Sequence, residues 1–152
     1  MMHGFRAVRS VVPTVILIVG LWALAFARPA FANEVLEWND TTMKAIAATG
    51  QNNIVSTRTL AMVQVAVHDA LNTINRRYDA YYFETPGDPA ASSDAAIAAA
   101  AHTVLVGVVG NYGTQAQKGA TFALLDQAYA ASLARVTDGP ARNKGVAIGR
   151  AA

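Results

Sequence analysis

Apolar residues in this chain recur every three or four positions, a rhythm that leaves room for little except helices. The clearest run is Leu60, Val63, Val67, Leu71 and Ile74, widened by Met62, Ala66 and Ala70; it predicts an α-helix over 56–75. Before it, Val35, Trp38, Thr42 and Ile46 predict a helix over 34–49 that lays Trp38 and Ile46 on one stripe and ends at Gly50. After it, Ser92 or Ser93 can cap a third helix, because a hydroxyl accepts from free first-turn amides, and Asp94 suits the positive end of the helix dipole. The alanine run 98–101 carries this helix to 109, where Gly110-Asn111-Tyr112-Gly113 closes it, and its small surface lets neighbouring backbones approach. Phe122, Leu125, Tyr129 and Leu133, with Leu124 beside them, predict a fourth helix over 114–135. In a fifth, Asp138 is the expected cap, Pro140 falls in the first turn where a missing N–H costs nothing, and Val146 and Ile148 are the apolar contacts. Strand signals are few. The fold class is all-α, about five helices forming part of an incomplete bundle. No terminator follows Arg150, so the polypeptide reads as a piece of something longer.

Ahead of these helices stands a different kind of segment. Residues 1–10 carry two arginines, residues 11–26 are a nearly unbroken apolar run, and Ala30-Phe31-Ala32 places small side chains at the two positions a signal peptidase inspects. Residues 1–32 are therefore expected to be a signal peptide, its apolar part helical, with cleavage before Asn33. A membrane span needs about 20 apolar residues, and this run is shorter and interrupted by Pro13 and Gly20. The mature part, 33–152, is expected to be exported to the periplasm or beyond the cell, with no stable membrane span after cleavage. A signal anchor left in the inner membrane is the alternative.

Charge narrows the possible partners. Arg6, Arg9 and Arg28 lie in the signal; without them nine basic residues face ten acidic ones, which is no electrostatic footprint for nucleic acid. Cysteine is absent, and with it disulfides, thiolate metal sites and a cysteine nucleophile.

Four polar residues stand out on otherwise apolar helices: His68, Asp69, Asn72 and His102. Adjacent helical positions point about 100° apart, so His68 and Asp69 are not expected to share a ligand, and no His-x3-His or His-Glu pair supports a metal site. Both histidines are read as structural, each hydrogen-bonded at a helix contact. Asp69 and Asn72, at i and i+3, share a face, and burying them unpaired would cost several kcal/mol. They are either a general base or ligand, or a clamp onto an inter-helix loop or onto Arg76 or Arg77; the clamp is the reading adopted. Arg76-Arg77 could hold an anion, but two arginines at a helix C-terminus also complement its dipole. Tyr78, Tyr81, Tyr82 and Phe83, followed by Pro86-Gly87-Asp88-Pro89, read as a loop whose rings anchor it on the helical core. No nucleophile elbow, phosphate loop or dinucleotide fingerprint occurs.

These residues also carry a resemblance. Val35-Leu36-Glu37-Trp38-Asn39, the segment 58–74 with Ala66-Val67-His68-Asp69-Ala70-Leu71-Asn72, Ala98-Ala99-Ala100-Ala101-His102-Thr103-Val104-Leu105, and Asp138-Gly139-Pro140-Ala141 leading to Gly145-Val146-Ala147-Ile148-Gly149 together resemble the N-terminal helical region of bacterial exported proteins of the vanadium-dependent haloperoxidase and type 2 phosphatidic acid phosphatase superfamily. The resemblance implies a helical bundle whose later helices build an oxyanion pocket for vanadate or phosphate, used for peroxide-dependent halide oxidation or for phosphate ester hydrolysis. It implies a lysine followed at seven residues by Arg-Pro, a Pro-Ser-Gly-His segment, and a Ser-Arg segment followed by histidine. This chain has none of these: its Arg28-Pro29 lies in the signal, and Lys144 and Arg150 are six apart with Ala151 following. No catalytic, cofactor-binding or metal residue is carried over. The expected role is an inactive scaffold whose partner is the missing catalytic half; a self-standing, self-associating helical module is the alternative.

Overall fold

The computed structural model describes residues 30–152, with side chains from Asn33 onward; the expected signal peptide lies outside the described residues except for 30–32. Five helices and no strand make up the described part: α1 (Ala30–Ala48), α2 (Asn53–Ile74), α3 (Ser93–Val109), α4 (Gln115–Ala134) and α5 (Pro140–Ala151). The all-α class is thus established. None of these helices is long and apolar enough to cross a membrane.

Local chemistry sets most boundaries. α1 ends where Gly50 takes a left-handed conformation, φ 63°, letting its N–H reach the Ala47 carbonyl. The Asn52 side chain accepts from the N–H groups of Ile54 and Val55, so α2 starts three residues earlier than its apolar stripe suggests. Ser92 caps α3 through the Ala95 N–H, and Thr114 and Gln117 form a reciprocal capping box on α4. The expected cap on α5 is corrected: Gly139, at φ 147°, occupies that position with no side-chain cap, and Asp138 pairs instead with Arg142 one turn on.

α3 is the centre. Ala95 through Ala101, Leu105 and Val109 are all buried, and α1, α2, α4 and α5 each pack against this helix. A helix apolar all round must be enclosed. Trp38 of α1, Val63, Val67 and Ala70 of α2, and Leu125 of α4 close the core. α5 meets α3 differently from the expectation. Its buried positions are Gly145 and Gly149, while Val146 and Ile148 are only half-buried. A Cβ on Gly145 would run into the Ser92 carbonyl, and one on Gly149 into the Ala96 carbonyl. The Ser92 N–H donates to the Ala141 carbonyl at 2.9 Å, tying the start of α3 to α5.

Candidate functional site

The C-terminal half of α2 presents two buried polar side chains, Asp69 at 1% exposure and Asn72 at 7%, to the loop 75–92. That loop has almost no internal ladder, so its N–H groups need partners from outside. Asp69 supplies them: Oδ1 accepts from the Tyr81 N–H, and Oδ2 from those of Tyr82 and Phe83, each at 2.8 Å. Burial pushes this carboxyl up, but the amides of Phe83, Tyr81 and Tyr82, together with His68, outweigh it and bring the pKa down to about 2. Asn72 works like a stray peptide group. Its Oδ1 accepts from Arg77 and Tyr78 N–H at 3.0 Å, and its Nδ2 donates to the Tyr78 carbonyl at 2.8 Å. Further along, the Asp88 N–H donates to the Thr73 carbonyl, beside which Gly87 lies too close for an added Cβ to fit without movement.

Two expectations about this loop are corrected. Its attachment is through backbone, not rings: Tyr78, Tyr81 and Tyr82 are 69%, 73% and 89% exposed. Nor do Arg76 and Arg77 complement the helix dipole, because α2 ends at Ile74, Asn75 is its cap, and no basic residue lies in its last turn. Arg76 pairs across the loop with Glu84, whereas Arg77 makes no ion pair among the described residues.

His68 and Asp69, expected to point apart, do meet. His68 Nδ1 lies 3.1 Å from Asp69 Oδ1, since a side chain of either length can swing back across one helical step. An ionised carboxylate only accepts, so Nδ1 carries the hydrogen and donates it. The ring stands edge-on to Tyr81, centroids 5.0 Å apart, and tilted against Tyr78 at 6.0 Å. Beside it opens a cleft of about 340 Å³, lined by His68, Leu71, Asn72, Asn75, Arg77, Tyr78 and Ser93. Sequence marks Arg77 only as half of an arginine pair able to hold an anion, and Ser93 only as a possible helix cap; nothing in it announces that the two meet at one cleft.

His102 belongs to another contact. Its Nε2 is 2.9 Å from Asp126 Oδ1, its ring stacks on Tyr129 with centroids 4.6 Å apart, and it meets Trp38 edge-on. Trp38 Nε1 donates to Glu34 and Ser132, and Arg135 bridges Glu34 and Glu37. Asp94, in the first turn of α3, answers to this cluster: burial and then the Glu34 charge push its carboxyl up. Among the described residues no three His, Asp or Glu side chains gather as a metal site. No family model matches the chain, and no curated protein or solved structure does either.

Proposed function

We propose that this chain is the non-catalytic N-terminal helical scaffold of an exported vanadium-haloperoxidase-like, or acid-phosphatase-like, protein. In this reading vanadate or phosphate is held by the partner catalytic half, and these helices supply walls for it. One observation carries the reading. The segment His68-Asp69-Ala70-Leu71-Asn72, central to the resemblance, commits its carboxylate and amide to holding backbone, with five loop N–H groups on three oxygens. Oxyanion chemistry instead needs converging donors directed at an empty position.

The test is to assay the full chain for peroxide-dependent bromide oxidation with orthovanadate and for hydrolysis of p-nitrophenyl phosphate. No turnover is expected in either. Turnover abolished by His68→Ala overturns the reading. Coding DNA beyond the Ala152 codon should carry the Arg-Pro and Ser-Gly-His segments in some frame.

The self-standing interaction module is favoured by a separate observation. Leu36 and Met43, seven residues apart on α1 and so on one stripe, are 65% and 51% exposed. A concentration-dependent oligomer that Leu36→Glu dissolves would decide for it.

A further inference from the structure

The cleft beside α2 is built for more than packing. Its volume, about 340 Å³, is at the small end of what ligand sites occupy, and it is mostly apolar with a few polar groups at its edge. Those groups are one-sided in charge. Among the described residues, Arg77 is a lining cation without an ion pair, and no acidic residue lines the cleft. The neighbouring arginine shows what satisfaction looks like, since Arg76 has Glu84. The Asp69 carboxylate is turned into the loop and onto His68 Nδ1, which leaves Nε2 as the ring's free nitrogen. With Nδ1 carrying the hydrogen, Nε2 on the neutral ring accepts a hydrogen bond. Leu71 offers an aliphatic wall and Tyr78 an aromatic one, while Ser93 and Asn75 add a hydroxyl and an amide.

We propose that this cleft binds a small organic anion with an aromatic body, Arg77 holding its anionic oxygens and His68 Nε2 accepting from a hydroxyl on it. A hydroxylated aromatic carboxylate is the simplest compound with all three features. The carboxylate matches the planar fork of a guanidinium, and the ring matches Leu71 and Tyr78. Loop attachment and ligand recognition use different atoms of the same residues: Asn72 holds Arg77 and Tyr78 by backbone, so guanidinium and phenol are left for the cleft. The site binds without any chemistry being required of it, and so stands apart from the scaffold reading.

Titration of the full chain with 4-hydroxybenzoate, followed by calorimetry and by ligand-observed NMR, tests this. Saturable one-to-one binding is expected, weakened about tenfold or more by Arg77→Ala. Replacing the probe with 4-hydroxybenzamide, which lacks the charge, should weaken binding comparably. Benzoate, which lacks the hydroxyl, should bind several-fold more weakly, and His68→Phe should erase that difference between the two acids. Arg76→Ala should leave affinity unchanged. Because Arg77 is fastened by its N–H, its truncation keeps the loop in place, and circular dichroism of the variant should match the parent. No saturation up to about 10 mM overturns the proposal, as does equal binding by parent and Arg77→Ala, or equal losses from Arg76→Ala and Arg77→Ala.

Discussion

Two segments of the molecule are fastened to the central helices by opposite means. α5 lies on α3 through bare backbone, with Gly145 and Gly149 seated against the carbonyls of Ser92 and Ala96. The loop 75–92 is fastened to α2 by side-chain oxygens, two from Asp69 and one from Asn72. The first contact is set by shape, so it tolerates the loss of little and the addition of nothing. The second tolerates bulk, since its tyrosines project into solvent, but it depends on individual oxygens. This difference explains why the cleft forms at the loop. There the helix's side chains hold the loop's backbone, so loop side chains such as Arg77 and Tyr78 are left over to line a cavity.

The glycine crossing should give the largest effect. Gly149→Ala places a methyl where the Ala96 carbonyl stands, with the Ala100 amide and Ala99 Cβ close behind, so α5 must lift from α3. A loss of about 3 kcal/mol is expected in urea unfolding, in the range of other overpacked cores. Gly119→Ala on α4 is the counter-case. Nothing lies within 4 Å of its Cβ, and the exchange should stabilise by about 0.5–1 kcal/mol through helix propensity. A mild effect of Gly149→Ala would mean that the crossing is less tight than its geometry states.

The clamp comes next. Asp69→Ala strands three loop amides and should cost about 2–3 kcal/mol. Hydrogen exchange should show where: the amides of Tyr81, Tyr82 and Phe83 should speed up well beyond the global change, which Gly149→Ala would not do selectively. Acid gives a third measurement. The folded pKa of Asp69, about 2, lies below its ordinary 3.8, so its contribution is full above that ordinary value and is lost as pH falls from 3.8 through 2. At about 1.4 kcal/mol per unit this amounts to about 2.5 kcal/mol. Asp94 acts in the opposite sense: its raised pKa favours the fold as it protonates, an advantage lost as pH rises through the folded value. The Asp69 part is therefore read as the difference between the parent and Asp69→Asn. Acid profiles that run parallel between about pH 4 and pH 2 would remove the clamp's electrostatic role.

How much of this was legible in sequence depended on whether the cause was local. The cap at Ser92, the stop at Gly50 and the stripes through Val63 and Val67 follow from neighbouring residues, and they read correctly or within a few positions. Contacts between distant segments did not read in the same way. Gly145 and Gly149 look like weak helix residues until the carbonyls of α3 are beside them, so apolarity pointed to Val146 and Ile148 instead. The tyrosine loop misled for the same reason, because ring hydrophobicity is visible in a sequence and the needs of a loop's amides are not. Arg76 has an acidic partner and Arg77 has none among the described residues, but that partner, Glu84, is eight residues from Arg76, too far to be read locally.

The smallest expected effect separates the two histidine contacts. His68 meets a carboxylate that is 1% exposed, whereas the partner of His102, Asp126, has a side chain 73% exposed. In water a single ion pair or hydrogen bond gains little over hydration, so Asp126→Asn should change stability by no more than about 0.5 kcal/mol. The His102 ring itself is held by Tyr129 and Trp38, so His102→Ala should cost more than Asp126→Asn. At α2 the order reverses: there the carboxylate serves the loop as well as the imidazole, so Asp69→Asn should cost more than His68→Phe. Unfolding measured on these four variants orders the contacts directly. If Asp126→Asn proved as costly as Asp69→Asn, burial of the carboxylate would not be what distinguishes the two pairs.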